Sequence, residues 1–155
     1  MDHSEFIHRA IQLAVENVQK GGGPFGAVVA KNGQIIATGT NQVTASHDPT
    51  AHAEIVAIRA ACKALGTFEL SGCQIYCSCE PCPMCLGAIY WARPERVFFA
   101  AAANAAAAVG FDDTYIKAQL SLPLSKQQLP IAQLHHDLAL APFQAWKAKA
   151  DKVVY

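Results

Sequence analysis

Two short strings in this sequence supply the residue types that bind zinc and carry protons. His52 and Glu54 flank a single alanine, and Cys82 and Cys85 stand three positions apart after a proline. One imidazole and two thiolates would give tetrahedral zinc three protein ligands and leave one position open for water, as in catalytic sites. The Glu54 carboxylate then remains to move protons for that water. The pattern predicts a catalytic centre with one Zn²⁺ per chain.

The elements around these strings must bring the ligands together. Pro83 can begin a helix, and two cysteines three apart at its start project to the same side. Backbone N–H groups at that helix end favour the negative charge of thiolates. His52 and Glu54 cannot face each other within a regular helix, because residues i and i+2 point apart. We therefore expect His52 at or just outside the first position of the helix that follows Asp48-Pro49-Thr50.

This set of groups predicts hydrolysis. Zinc lowers the pKa of a bound water to about 7, which provides hydroxide at neutral pH. That hydroxide could attack a ring carbon that carries an exocyclic amine. Glu54 would take the proton of the water, deliver it to a ring nitrogen and later protonate the departing amine.

The cysteine-rich segment leaves a non-enzyme alternative open. Cys79, Cys82 and Cys85 also form a C-x2-C-x2-C string, which is part of an iron–sulfur pattern. A lone C-x-x-C likewise occurs in structural zinc sites and redox motifs. The fourth cysteine of the iron–sulfur pattern is missing at its usual spacing. Cys79 instead alternates with polar residues in the same way as Cys73 and Cys77, which we expect to be small core residues of a strand.

Composition predicts one compact domain spanning residues 1–155. The chain is 52% apolar and 15% charged, and its 12 basic residues balance 12 acidic ones. Proteins that hold a polyanion usually carry a basic excess, so we expect no nucleic-acid partner. The N-terminal residues show no secretory signal, and the apolar stretch 97–109 is too short to span a bilayer. We expect a cytoplasmic protein with no membrane association.

Periodicity and turn residues predict an opening hairpin followed by alternating helices and strands. The first helix is expected to bury one side formed by Phe6, Ile7, Ala10, Ile11, Ala14 and Val18. The predicted helices are 4–20, one that is entered at Asp48-Pro49-Thr50 and ends near Gly66, 83–93, a weak one in the alanine-rich stretch after residue 100, and 142–149. The predicted strands are 25–30, 34–40, 73–79, 97–100 and 131–135. An Asn32-Gly33 turn joins the first two strands. This order indicates a three-layer α/β/α sandwich with a central mixed sheet.

Three strings resemble the cytidine-deaminase superfamily, in which H-x-E…P-C-x-x-C is the zinc signature. They are Gly22-Gly23-Pro24-Phe25-Gly26-Ala27, Asp48-Pro49-Thr50-Ala51-His52-Ala53-Glu54 and Cys79-Glu80-Pro81-Cys82-Pro83-Met84-Cys85, with the continuation Leu86-Gly87-Ala88-Ile89-Tyr90-Trp91-Ala92-Arg93. Gly110-Phe111-Asp112-Asp113 and Pro142-Phe143-Gln144-Ala145-Trp146 further resemble the bacterial guanine deaminases. The similarity covers almost the whole chain.

That resemblance implies a cytidine-deaminase-like fold and a hydrolase that converts guanine to xanthine and ammonia. It implies zinc ligands at His52, Cys82 and Cys85 and a proton shuttle at Glu54. It also implies a homodimer that exchanges its C-terminal segments. The residues expected to contact the substrate are Asn41, which would bond the base, Phe25, which would pack against it, Ala53, Trp91, and Asp113 and Tyr155, which would complete the partner's pocket. A carboxylate at Asp113 suits guanine, whose N1–H and amino group are adjacent donors.

Other deaminases remain rivals at this level. A tRNA adenosine deaminase shares the zinc strings but calls for a basic face, which the balanced charge does not supply. A cytosine or cytidine deaminase would differ in the shape of its pocket. Two positions depart from the resemblance: Cys77 stands where relatives more often have a small hydroxyl residue, and the run 100–108 is unusually rich in alanine.

Overall fold

A four-stranded mixed sheet with helices on both faces forms the centre of the fold. The computed structural model describes residues 2–155. In chain order, the elements are α1 (His3–Gln19), β1 (Gly26–Lys31), β2 (Gln34–Thr40), α2 (Val43–Ser46), α3 (Ala53–Leu65), β3 (Cys73–Cys79), α4 (Pro83–Ala92), β4 (Arg96–Ala101), α5 (Ala103–Ala107), α6 (Thr114–Leu120), a 3₁₀ turn (Leu124–Lys126) and α7 (Ala141–Ala148). The predicted α/β class is confirmed.

The sheet has the strand order β2-β1-β3-β4. β1 pairs antiparallel with β2 and β3, and β3 pairs parallel with β4. The predicted hairpin turn is present, because Asn32 and Gly33 both have positive φ, at 51° and 76°. Two such residues in succession match the twist of the flanking strands.

Alternation along the central strands divides the core between the two faces of the sheet. Val29 of β1 and Ile75 of β3 pack on one side against α3 and α4. Val28 and Tyr76 pack on the other side against α1. This division produces the three predicted layers, since successive strand residues point to opposite faces. Cys73 and Cys77 lie in the first cluster as fully buried residues, as the alternation predicted.

The buried face of α1 differs from the predicted one. Phe6, Ala10 and Ala14 are buried as expected, but Leu13 and Asn17 complete the face, and Ile11 and Val18 are exposed. The observed face lies slightly to one side of the most apolar arc of the helix. The predicted face differs from the observed one because hydrophobic periodicity counts only apolar residues and therefore does not recognise a buried asparagine such as Asn17.

The predicted strand 131–135 is wrong. These residues form neither helix nor strand, and β4 is the last strand of the described chain. Alternation of apolar and polar residues is not enough to form a strand, because a strand also needs a neighbouring strand for its backbone hydrogen bonds. The short helix α2 was not predicted. Asp48 accepts a hydrogen bond from the N–H of Thr50 (N···Oδ1 2.8 Å) in the turn that leads to His52, and α3 begins at Ala53.

The chain divides into two compact units, one that ends at Thr114 and one formed by Tyr115–Tyr155. The first contains the sheet and the helices that cover it. The second contains α7, and none of its large apolar side chains is buried. The prediction of a single domain over residues 1–155 stays a prediction. Among the described residues, no helix is both long enough and apolar enough to cross a membrane.

Candidate metal centre

His52 and Cys82 each occupy the residue immediately before a helix. His52 precedes α3 with φ −67° and ψ 158°, and Cys82 precedes α4 with φ −69° and ψ 169°. The structure thus places His52 just outside the first helical position, as the spacing to Glu54 requires. Two helix N-termini converge here, and their unpaired N–H groups favour the negative charge of thiolates.

The three predicted ligands meet at one point. The Nδ1 atom of His52 lies 3.5 Å from the Sγ of Cys82 and 3.5 Å from the Sγ of Cys85. One ligand atom from each residue lies within 4.8 Å of the other two. Zinc bonds of about 2.3 Å to sulfur and about 2.0 Å to nitrogen, at a tetrahedral angle, separate these donors by about 3.5 Å. The residues fit a zinc ion, and together they form a candidate zinc site.

The two sulfurs differ in their affinity for protons. The hydrogen bond from Cys85 lowers the pKa of Cys82 to about 4. The Cys82 sulfur at its side, together with burial, raises the pKa of Cys85. The hydrogen bond to Cys82 also raises the pKa of His52. A thiolate is therefore readily formed at Cys82, and zinc binding would displace a proton from Cys85.

Glu54 lies beside the ligands in the first turn of α3. Its side chain is buried, with 7% exposed, and the Sγ of Cys85 donates to its Oε2 at 3.4 Å. Burial raises the pKa of Glu54 because the charged carboxylate loses its water. If Cys85 were bound to a metal as a thiolate, it would have no proton to donate to Glu54. The Glu54 carboxylate could then accept a proton from another donor. These are the properties required of a general acid–base group.

Gly39 determines how closely α3 approaches the sheet. A Cβ atom at this position would overlap the carbonyl oxygen of Ala53 and the amide nitrogen of Ala57. Strand β2 and helix α3 are thus in backbone contact at the start of the helix. This contact fixes the backbone position of Ala53, which lies between His52 and Glu54. Ala53 itself is fully buried at the first position of α3. Its contact with substrate stays a prediction.

Asn41 is buried at the end of β2, beside the segment that leads to His52. The N–H of Gln42 donates to the carbonyl of Ala51 at 2.8 Å and joins the two segments. The Oδ1 of Asn41 accepts from the N–H of Val43 at 3.1 Å, which is the turn role that asparagine often has. The side-chain Nδ2 takes no part in this bond. Asn41 is thus next in sequence to a residue that is hydrogen-bonded to the segment before His52, and its contact with substrate stays a prediction.

Sequence reasoning missed Asn17, a buried polar residue of α1. Its Nδ2 donates to the carbonyl of Gly23 at 2.8 Å and to the carbonyl of Asn41 at 2.9 Å. One amide thus joins the first helix to the loop before β1 and to the loop after β2. The available signal is the helical spacing of Asn17 from Ala10 and Leu13, which places all three residues on one side of α1.

Phe25 and Phe111 pack against each other edge to face, with ring centroids 5.0 Å apart and planes at 89°. Phe25 also lines an apolar cavity of about 380 Å³ between α1 and the alanine-rich α5. Phe25 thus has an aromatic partner within its own unit, and its packing against a base stays a prediction.

Asp112 and Asp113 have different surroundings. The Oδ1 of Asp112 accepts from the N–H and the hydroxyl of Thr114 at 2.9 and 2.7 Å, so Asp112 closes a turn at the start of α6. Burial, reinforced by the negative charges of Glu54, Glu80 and Asp113, raises the pKa of Cys79. Asp113 is therefore close enough to the Cys79 end of β3 to influence a thiol there.

Two residues of the predicted substrate set remain, Trp91 and Tyr155. Trp91 is exposed near the C-terminal end of α4, on a different side of the helix from buried Cys85. Tyr155 is exposed and belongs to the second unit. The roles predicted for both in substrate binding stay predictions.

Comparisons with known proteins agree with this centre. The family model of the cytidine and deoxycytidylate deaminase zinc-binding region matches residues 1–101. The chain is 54% identical to a guanine deaminase from Bacillus subtilis, with 100% of both chains covered. The X-ray structure of guanine deaminase from Bacillus subtilis superposes with a TM-score of 0.98 and covers 100% of this chain and 99% of that one.

A more distant relative shares only part of the chain. A tRNA-specific adenosine deaminase from Aquifex aeolicus is 43% identical over 101 residues, which are 65% of this chain and 67% of the relative. The full-length relative, the family model and the donor geometry agree on one assignment. The chain belongs to the family of the cytidine and deoxycytidylate deaminase zinc-binding region, and His52, Cys82 and Cys85 form its candidate zinc site.

Proposed function

We propose that this chain catalyses the hydrolytic deamination of guanine to xanthine and ammonia. The observation that carries the proposal is full-length similarity to a guanine deaminase, with 54% identity over 100% of both chains. This similarity extends through the C-terminal residues, whereas the family model ends at residue 101. The similarity to the tRNA-specific adenosine deaminase covers 65% of the chain.

In this reaction the oxygen of water forms a bond to C2 of guanine, and the bond from C2 to the exocyclic nitrogen breaks. His52, Cys82 and Cys85 would hold the zinc ion. When bound, zinc supplies Lewis-acid activation of water at neutral pH. Glu54 takes a proton from water, delivers it to a ring nitrogen and protonates the departing amine, so that ammonia leaves. The buried position and raised pKa of Glu54 support this exchange.

The base would be held from two sides. Asn41 bonds it through its side-chain amide, and Phe25 packs against it. The support for Asn41 is its burial beside the segment that carries His52. Asp113 accepts hydrogen bonds from the donors of guanine, and Tyr155 closes the site. Ala53 and Trp91 complete the proposed set of contacts, Ala53 with the support of its place between His52 and Glu54.

The active form would be a homodimer that exchanges C-terminal segments, so that Asp113 and Tyr155 complete the partner's pocket. The second unit supports this proposal because it has no core of its own. Its exposed apolar side chains are Tyr115, Ile116, Leu120, Leu122, Leu124, Leu129, Ile131, Leu134, Leu138, Leu140, Phe143, Trp146, Val153, Val154 and Tyr155. So much apolar surface is usually covered by another chain.

Ammonia release from purified, zinc-quantified protein tests the reaction. The substrates are guanine, guanosine, adenine, cytosine, cytidine and a tRNA that carries the target adenosine. We expect turnover of guanine and little of the others. Selective turnover of another ring would refute the substrate while keeping the zinc chemistry, and no turnover with zinc bound would refute the enzyme. Tight, salt-sensitive binding of tRNA would favour the tRNA adenosine deaminase.

A further inference from the structure

The peptide that joins Phe25 to Gly26 is hydrogen-bonded on both of its sides. Its carbonyl oxygen accepts from the N–H of Asn41, just after β2, at 3.2 Å. Its N–H donates to the side-chain Oγ of Ser78, on β3, at 3.0 Å. The carbonyl and the N–H of a planar trans peptide point in opposite directions, so two such bonds fix the plane of the peptide. They therefore also fix the direction in which the Phe25 side chain leaves the backbone.

The glycine at position 26 makes this support necessary. A Cβ atom on Gly26 would overlap the carbonyl oxygen of Ala10 in α1, so the packing of α1 on β1 requires a glycine. Glycine restricts the backbone less than any other residue does. The sheet does not compensate on the β3 side, because the register of β1 with β3 ends at the pair Ala27 and Cys77. The hydroxyl of Ser78 supplies the acceptor at the point where the ladder stops.

The bond between Gly26 and Ser78 lies away from solvent. Both residues are buried. A buried N–H that lost its acceptor would have no water to replace it, which is why such groups are almost always paired. The contact therefore holds the backbone next to Phe25 more firmly than an exposed hydroxyl could.

The ring of Phe25 has a separate support in Phe111. The two rings meet edge to face, an arrangement that stabilises their relative orientation beyond the burial of their surface. The backbone of Phe111 is anchored independently of its ring. Its N–H donates to the carbonyl of Ala106 at 3.0 Å, the N–H of Gly110 donates to that of Ala107 at 3.1 Å, and Gly110 has φ 99°. This is the Schellman ending of α5, so Phe111 presents its ring from a fixed backbone.

We propose that Ser78 and Phe111 are positioning residues for substrate, which hold Phe25 in the orientation in which it packs against the base. This inference rests on the proposed reaction, in which Phe25 contacts guanine. Ser78 acts through the backbone of Phe25 and Phe111 through its ring, and neither role requires contact with guanine. A ring that is already oriented loses less conformational entropy when the base binds, so the two supports raise affinity.

Steady-state kinetics distinguish positioning from a merely structural role. Packing of the base against Phe25 is present both before and during the reaction, so its loss raises KM and leaves kcat unchanged. A variant that is only less stable contains fewer folded molecules, which lowers the apparent kcat and leaves KM unchanged.

Replacement of Ser78 tests the backbone support. Ser78→Ala removes the acceptor, and we expect the KM for guanine to rise about 3–10-fold while kcat changes by less than about twofold. Ser78→Thr keeps a hydroxyl and should have a KM close to the original. Ser71→Ala makes the same change in the exposed turn before β3 and is the matched control. An unchanged KM in folded Ser78→Ala would overturn the role of Ser78, as would the same raised KM in Ser78→Thr.

Replacement of Phe111 tests the ring support. Phe111→Leu keeps an apolar side chain without a ring and should raise the KM for guanine about 2–10-fold. Phe111→Tyr keeps the ring and should restore the original KM. Phe68→Leu is the control, since Phe68 is 51% exposed and Phe111 47%, and Phe68 lies beyond the end of α3 that is remote from His52. Equal KM values for Phe111→Leu and the original protein would refute the role of Phe111.

Hydrogen exchange at the Gly26 amide tests the backbone support without any reaction. Ser78→Ala should accelerate exchange of this amide about tenfold or more and leave that of Val29, within β1, unaltered. Unaltered exchange at Gly26 would overturn the support. If the zinc-loaded original protein turned over another ring, the KM for that ring would replace the KM for guanine in these comparisons. If it turned over none, the proposed reaction would fail, whereas faster exchange in Ser78→Ala would still establish that Ser78 holds the backbone at Phe25.

Discussion

The Sγ atom of Cys85 lies 3.4 Å from the Oε2 atom of Glu54. A residue that would hold the metal therefore touches the residue that would carry the proton. The two side chains come from the first turns of different helices, α4 and α3. The contact makes their proton affinities interdependent, because a proton on either group changes the charge that the other one faces.

Replacement of Glu54 should separate metal binding from turnover. We expect Glu54→Gln to keep its zinc and to lose about 10²–10⁴-fold in kcat, because the amide has a similar shape but cannot accept and return a proton. Zinc content and ammonia release measure the two effects. Glu16→Gln, on the surface of α1, should match the original protein. Substantial turnover by Glu54→Gln would remove Glu54 from the mechanism.

Removal of zinc should abolish turnover, and zinc alone should restore it. The apparent affinity for zinc should fall as the pH falls, because the raised pKa of Cys85 keeps a proton on a ligand that must lose it. Titration with a competing chelator at several pH values measures the slope. Iron and sulfide in the purified protein, with visible absorption, would instead favour the iron–sulfur module.

The three cysteines of the C-x2-C-x2-C string should differ in effect. Cys79 lies outside the ligand cluster, with its Sγ 3.9 Å from the carbonyl of Ala102. We expect Cys79→Ser to retain zinc at the original stoichiometry and Cys82→Ser to lose it, as measured by metal analysis after dialysis. Equal zinc loss in both variants would assign Cys79 to the centre and contradict the three-ligand site.

Asn17 should act as a positioning residue. Asn17→Asp keeps the size of the side chain but removes the donor that serves Gly23 and Asn41. We expect a loss of about 1–3 kcal/mol in the free energy of unfolding, because buried carbonyls lose their partner, together with a raised KM for guanine. Gln12→Asn, at an exposed position of the same helix, is the control. An unchanged KM in the destabilised variant would limit Asn17 to a structural role.

Subunit exchange should be detectable by complementation. Glu54→Ala and Asp113→Ala subunits are each expected to be inactive, and refolding them together should restore part of the activity if Asp113 serves the partner's pocket. Deletion of Tyr155 should lower turnover without unfolding the protein. Failure to recover activity from the mixture, or full activity without Tyr155, would argue against shared sites.

The zinc ligands could be predicted because metal coordination imposes residue types at a local spacing. His52, Cys82 and Cys85 belong to two short strings, and each string lies at the start of a helix that the sequence also indicates. Asn17 could not be predicted in the same way, because its partners are carbonyl groups whose positions depend on the folded chain. The prediction of a strand at 131–135 was wrong for a related reason. A β-strand needs hydrogen bonds to a neighbouring strand, and a local apolar pattern does not show whether such a strand is available.

Pro83 restricts the backbone conformation of Cys82 whether or not a metal ion is bound. A residue that precedes proline is confined to extended conformations, and Cys82 has that conformation in the described chain, with ψ at 169°. Its orientation is therefore imposed by covalent structure before any ion arrives. Less conformational entropy remains to be lost on coordination, so this ligand is preorganised by its neighbour in sequence.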